Sequence, residues 1–309
     1  MHHSQRQLHP APASRGQRLL AASFRVTLKA LMKPLFHPRT PTGLLRAGMR
    51  TLTTTTLHAA GVRFQPIQMG TVSAEAASPA TAGKQAILYL HGGAYCVGSP
   101  ATHRAITSHL ARRAEATVFA VDYRLAPEHP FPAAPDDALT AYGWLLDNGY
   151  QGRDIFIAGD SAGGGLALAT ALQIRDHNMP SPGGMMLLSP WVDLTLTDRE
   201  AAEQRDEVML TWSMLDHSAR HYVGEQRAHP LASPLFADLA GLSPVLIIVG
   251  TDEILLGDAE RLFERMTKAG THCHLSVYQD MWHVFPVQAG ALRTANQAID
   301  QMAWWMSGP

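Results

Sequence analysis

Acidic residues are missing from the first quarter of the chain. No Asp or Glu precedes Glu75, although ten Lys or Arg residues do. The formal net charge is only −1, so the remainder is acid-rich and the chain as a whole lacks the basic excess of a nucleic-acid-binding protein. No nucleic-acid partner is expected. Cysteine is scarce too: Cys96 and Cys273 are the only two, which excludes a disulfide framework and fits a reducing, cytoplasmic setting. Both read as small apolar core residues. No uncharged apolar run approaches the roughly 18 residues of a membrane span. A secretory leader is not expected either, because Arg25 interrupts the apolar stretch after "LLAAS" well short of the roughly 7 to 15 apolar residues such a leader needs. A hydrophobic share of 46% and a charged share of 17% describe an ordinary globular protein.

Within the acid-free arm, Leu20, Phe24, Leu28, Leu31 and Leu35 recur at steps of four and three, which marks one face of a helix. Arg18, Arg25, Lys29 and Lys33 fall on the other face. Such a helix packs across the body with its basic side in water, lies on a membrane surface, or resembles a transit peptide, which is likewise basic and acid-poor; the first reading is preferred.

From about Gly83 the pattern becomes one of apolar runs separated by helical stretches: 86–90, 117–123, 155–159, 185–189, 245–250 and 274–278. Five of these lack alternation and are rich in Ile, Val and Leu, as strands buried on both faces are; "HLSVY" (274–278) reads as nearer an edge. Strand and helix in alternation predict an α/β fold with a mostly parallel central sheet and helices on both faces. Residues 191–244 are too long for a single crossover helix. They predict an insertion at about 191–230 that joins the N-terminal helix in a helical cap, giving a cap segment at 1–50 and a catalytic domain at 51–309.

The run "GDSAGGG" (159–165) sets one serine, Ser161, among four glycines directly after an apolar strand. Gly159-Asp160-Ser161-Ala162-Gly163 has the G-x-S-x-G form of a nucleophile elbow, a strained strand-to-helix turn that exposes the hydroxyl and tolerates no bulk beside it. A phosphate-binding P-loop would need Lys followed by Ser or Thr, and none is present. A serine hydroxyl becomes a nucleophile only when a base takes its proton and a third group holds that base. Two further strand ends supply candidates: Asp252 after "VLIIVG" and His283 after "HLSVYQDMW". Glu253, Asp258 and Asp280 compete for the acid; Asp252 is preferred as nearest its strand end. His272 and His274 flank the start of their strand, the wrong edge for this chemistry, and no metal site is expected. For the charge that develops on a reacting carbonyl, the N–H of Ala162 is one donor, and Gly92 and Gly93 of "HGGAY" (91–95) are the others.

"HGGAY", "DYRLAPEHPFPAA" (122–134), "GDSAGGGLA" (159–167), the Asp252 segment and "WHVFP" (282–286) together resemble the hormone-sensitive-lipase-like esterases of the α/β-hydrolase superfamily. The resemblance spans roughly residues 83–290. It implies Ser161, Asp252 and His283 as a triad, Gly92, Gly93 and Ala162 as an oxyanion hole, and hydrolysis of short to medium acyl esters without metal or organic cofactor. Three departures stand out: Ala94 occupies the place of a third glycine, no proline follows the acid, and the basic N-terminal arm carries no matching motif. Tyr95, Trp212, Met214, Leu215 and Phe285 are the candidate pocket walls. The proline-rich loop reads as a scaffold in which Asp122, Arg124 and Glu128 form a charge network, and Asp160 either orients the elbow or faces solvent. Amide hydrolysis by the same triad and non-catalytic binding of a small ligand are the alternative functions. A homodimer is left open.

Overall fold

The computed structural model describes residues 4–12, 14–197 and 207–308; residues 198–206 of the expected insertion lie outside them. Its centre is a single nine-stranded sheet. The strands are β1 (Gln5–His9), β2 (Val62–Met69), β3 (Val72–Pro79), β4 (Ala86–Leu90), β5 (Thr117–Val121), β6 (Ile155–Asp160), β7 (Gly184–Leu188), β8 (Val245–Gly250) and β9 (Cys273–Tyr278). Their spatial order is β1-β9-β8-β7-β6-β4-β5-β3-β2. Every pairing is parallel except β2 with β3 and β3 with β5. All residues of β4, β6, β7 and β8 are buried, which explains their continuous apolar runs.

Among the described residues, eight α-helices surround the sheet: α1 (Arg15–Leu35), α2 (Thr42–Thr53), α3 (Arg104–Ala114), α4 (Ala133–Asp147), α5 (Ala162–Asp176), α6 (Trp212–Val223), α7 (Leu256–Lys268) and α8 (Arg293–Trp305). The Ser14 hydroxyl accepts the N–H of Gln17 and starts α1, and Thr211 does the same for α6 through Met214. Helix α1 carries the periodicity read above, with Phe24 and Leu28 packed against the core and Arg18 and Lys29 exposed.

Two expectations change. Residues 5–9 belong to the sheet and not to a cap: β1 pairs in parallel with β9, from Gln5 opposite His274 to His9 opposite Tyr278. Strand β9 is therefore an interior strand, and the edge is a short strand of mostly exposed polar residues. The hairpin β2–β3, at the opposite edge, was also unanticipated. Its outer strand alternates only loosely and contains Pro66, as an edge strand can.

The proline-rich loop is a scaffold, but its charges pair elsewhere. Arg124 grips Asp137 on α4 at 2.7 Å, while Glu128 receives both terminal nitrogens of Arg46 on α2. Arg46 also donates to the carbonyls of Cys96 and Ala126. This guanidinium thus fastens the second N-terminal helix to the loop behind the HGG turn. Cys96 and Cys273 are buried and form no disulfide, and burial pushes the Cys96 thiol up to about 12.

Candidate active site

Strand β6 ends at Asp160, and α5 begins at Ala162, so Ser161 is the whole turn. Its backbone sits at φ 54°, ψ −122°, a conformation that costs a non-glycine residue about 1–3 kcal/mol and persists only where neighbours enforce it. Neighbours do: Ser161 donates its N–H to the Leu188 carbonyl, and its own carbonyl accepts from Gly164, Gly165 and Trp191. The close approach also explains a flanking glycine, since a Cβ on Gly163 would lie 2.0 Å from the Leu90 carbonyl oxygen.

His283 follows β9, and the acid loop follows β8. The loops are laced together by N–H donation from Thr251 to the Tyr278 carbonyl and from Asp252 to the Met281 carbonyl. His283 Nδ1 lies 2.8 Å from an acid, and that acid is Glu253, through Oε2. Oε1 of Glu253 accepts the Ser189 hydroxyl at 2.9 Å and the Gly250 N–H at 2.6 Å. The carboxylate is fully buried. Asp252 turns the other way: it accepts the Thr251 hydroxyl and forms an ion pair with Arg25 of α1 at 2.5 Å. The expected Asp252–His283 pairing is therefore replaced by Glu253–His283, because consecutive residues of this turn face opposite sides. Burial alone would lower the imidazole pKa, but the carboxylate at Nδ1 outweighs it and holds His283 above the ordinary histidine value.

Ser189, at the end of β7, went unnoticed in the sequence. Its hydroxyl donates to Glu253 and accepts the N–H of Val284, the residue after the histidine. It thereby fixes the acid and the base loop at once. No sequence signal marks it beyond its place at a strand end.

On the oxyanion side the expectation is corrected at Gly92. Its N–H is already taken by Asp160 Oδ1 at 3.0 Å. The next backbone groups turn over through left-handed conformations at Gly93 (φ 123°), Ala94 (φ 52°) and Tyr95 (φ 62°). Ala94 thus adopts the conformation that a third glycine would take more easily. Gly92, Gly93 and Ala94 line the cavity beside Ser161, and Ala162 is buried directly after that serine at the start of α5. Asp160 is buried and faces no solvent: besides Gly92 it accepts the Tyr89 hydroxyl at 2.7 Å and lies 3.3 Å from His103 Nε2. Burial opposes charge on both partners, yet their mutual attraction prevails, so Asp160 is held below and His103 above its usual range. His91, stacked on Tyr123, is driven down to about 3 by burial and by the neighbouring His103.

Ser161 and His283 open into one cavity of about 250 Å³. Phe24, Leu28, Leu31 and Met32 of α1, Met49 and Leu52 of α2, and Met209, Leu210, Met214 and Leu215 form its apolar walls. Met214 and Leu215 thus lie where expected. Tyr95 and Phe285 do not: Tyr95 is stacked on Tyr222 at 3.7 Å, and Phe285 is buried against Tyr278. Trp212 packs against the core at the start of α6, outside the cavity lining. The N-terminal helices supply a wall that the list of candidate residues lacked.

A family model described as the alpha/beta hydrolase fold matches residues 87–287. The chain belongs to that family. It is 39% identical over 245 residues to an esterase of Acinetobacter venetianus, covering 78% of this chain and 81% of that one. It is 40% identical over 236 residues to an acetyl-hydrolase of Streptomyces hygroscopicus, covering 76% and 79%. Among solved structures, a hormone-sensitive lipase from a metagenome library superimposes with a TM-score of 0.88 at 38% identity, covering 94% of this chain and 97% of that one. As in other members of the family, the helices stand on both faces of a mostly parallel sheet. No helix among the described residues is long and apolar enough to cross a membrane.

Proposed function

We propose that this protein is a carboxylic ester hydrolase that works through an acyl-enzyme on Ser161. The observation that carries the reading is the 2.8 Å contact between His283 and the buried Glu253, set beside a serine held at a strained elbow in the same apolar cavity. Ser161 Oγ attacks the ester carbonyl while its proton passes to His283 Nε2, the ring nitrogen that Glu253 leaves free. Glu253 fixes the tautomer and stabilises the imidazolium. The N–H groups of Gly93, Ala94 and Ala162 receive the oxyanion. Collapse of the tetrahedral intermediate expels the alcohol with the proton from His283, and water then repeats the sequence to release the acid.

The cavity volume, equal to that of about eight waters, and its aliphatic walls suit short to medium acyl chains. Helices α1 and α2, with α6, serve as the cap of a catalytic body that also includes β1. With nucleophile, base and acid all present, turnover is favoured over passive binding of a ligand. The test is a series of p-nitrophenyl esters from acetate to palmitate, run beside Ser161→Ala. Turnover peaks between butyrate and octanoate and disappears in the variant; a peak at palmitate counts against this cavity, and faster cleavage of the matching anilides favours amide hydrolysis.

A further inference from the structure

A second carboxylate is buried on the cap side of the acid loop. Glu207 is 6% exposed. Its Oε1 accepts the N–H groups of Met209 at 2.7 Å and Leu210 at 3.1 Å, and its Oε2 accepts that of Ile254 at 2.9 Å. Met209 and Leu210 line the cavity, and Ile254 directly follows Glu253. One side chain therefore ties a wall of the cavity to the loop that carries the acid. Burying a carboxylate is costly unless donors converge on it, and here three backbone donors do. The titratable groups acting on it are His283, of opposite charge when protonated, and Glu253, of like charge.

We propose that Glu207 is a positioning residue: by holding Ile254 against the cap segment it keeps Glu253 where it aims the His283 imidazole at Ser161. The inference rests on the ester-hydrolase reading above. Its geometry makes Glu207→Gln informative, because the amide must turn its NH2 toward N–H donors on one side, either Ile254 or the Met209–Leu210 pair. Glu207→Asp keeps the charge but is one methylene too short to hold both sides.

The experiment measures kcat per active site, titrated by the p-nitrophenol burst, with KM and the pH profile on butyrate and octanoate esters. Glu207→Gln lowers kcat per site about ten- to a hundredfold on both esters, the equivalent of one hydrogen bond to a charged group, and leaves KM within about twofold. Its acid limb moves to lower pH, because a negative neighbour of His283 is gone. Glu207→Asp loses kcat severalfold and keeps the limb. A purely structural role would lower the melting temperature and the titrated fraction but not kcat per site, and that result overturns the proposal. So does a KM increase confined to octanoate with kcat intact, which would make Glu207 a wall support alone. If Glu207→Gln does not fold, an unchanged kcat per site in Glu207→Asp overturns it equally. NMR titration of the His283 ring in a Ser161→Ala background needs no turnover: a lower midpoint with Glu207→Gln supports the assignment, and an unchanged one overturns it even if the wild type cleaves no ester.

Discussion

Replacing Glu253 by Gln separates the two neighbouring acids most sharply. In the native site Oε1 receives two donors, the Ser189 hydroxyl and the Gly250 N–H, while Oε2 faces His283 Nδ1. A glutamine must keep its carbonyl oxygen toward those two donors, so its NH2 faces the imidazole. Nδ1 then becomes the acceptor, the proton shifts to Nε2, and the nitrogen that should take the serine proton is already protonated. Loss of the correct tautomer in a triad costs about 10⁴-fold in kcat, and a drop of that order is expected here. Asp252→Asn removes an ion pair with Arg25 whose side chains are 21% and 23% exposed, at the rim of the site and worth about 1 kcal/mol. It therefore changes kcat/KM by less than about fivefold. Steady-state kinetics on p-nitrophenyl butyrate, with thermal melting as a folding control, decides between them. If Asp252→Asn falls as far as Glu253→Gln, or if Glu253→Gln keeps more than a tenth of wild-type kcat, the pairing drawn from the structure is not the one used in catalysis.

Three further outcomes follow from other parts of the site and core. His283 must be neutral to act as a base and its pKa is raised, so kcat/KM falls on acidification through a midpoint above the ordinary value of 6.5; a midpoint below 6.5 in the wild-type profile would contradict the dominance of Glu253 over burial. Arg261 bridges the buried Asp193 at 2.9 Å and Asp258 at 2.8 Å, with its own side chain 30% exposed. Arg261→Met leaves two carboxylates without their cation and lowers stability by about 2–3 kcal/mol, the usual cost of breaking a buried pair discounted for solvent, as read by denaturant titration. Gly163→Ala drives a Cβ toward the Leu90 carbonyl, so soluble expression or the melting temperature collapses; a stable, active variant would show that the elbow has more room than described.

The parallel strands, the elbow serine and the base were legible because each leaves a local mark: continuous apolar runs, glycines where backbones touch, a histidine just past a strand end. The acid left no such mark. Asp252 and Glu253 are adjacent, and nearness to the strand favours the first, whereas the direction each faces is set by the His283 loop and by Arg25. A basic arm without acids of its own must find carboxylates elsewhere, and Arg25 takes the one that otherwise looked catalytic. Gly92 misled similarly: a glycine in the HGG turn reads as a donor to substrate until Asp160, far away in sequence, is seen to hold its N–H. Strand β1 was illegible because four of its five residues are exposed, and an edge strand without a buried face has no hydrophobic signature.

The position of β1 limits how the roof over the cavity can move. Helix α1 is moored upstream by a strand hydrogen-bonded into the sheet and midway by Arg25, which holds both the Asp252 carboxylate and the Asp280 carbonyl. A helix tethered at two points on the body cannot swing out as a hinged flap. Trimming the chain upstream of α1 would therefore loosen a wall of the cavity, whose lining begins at Phe24 in the middle of that helix.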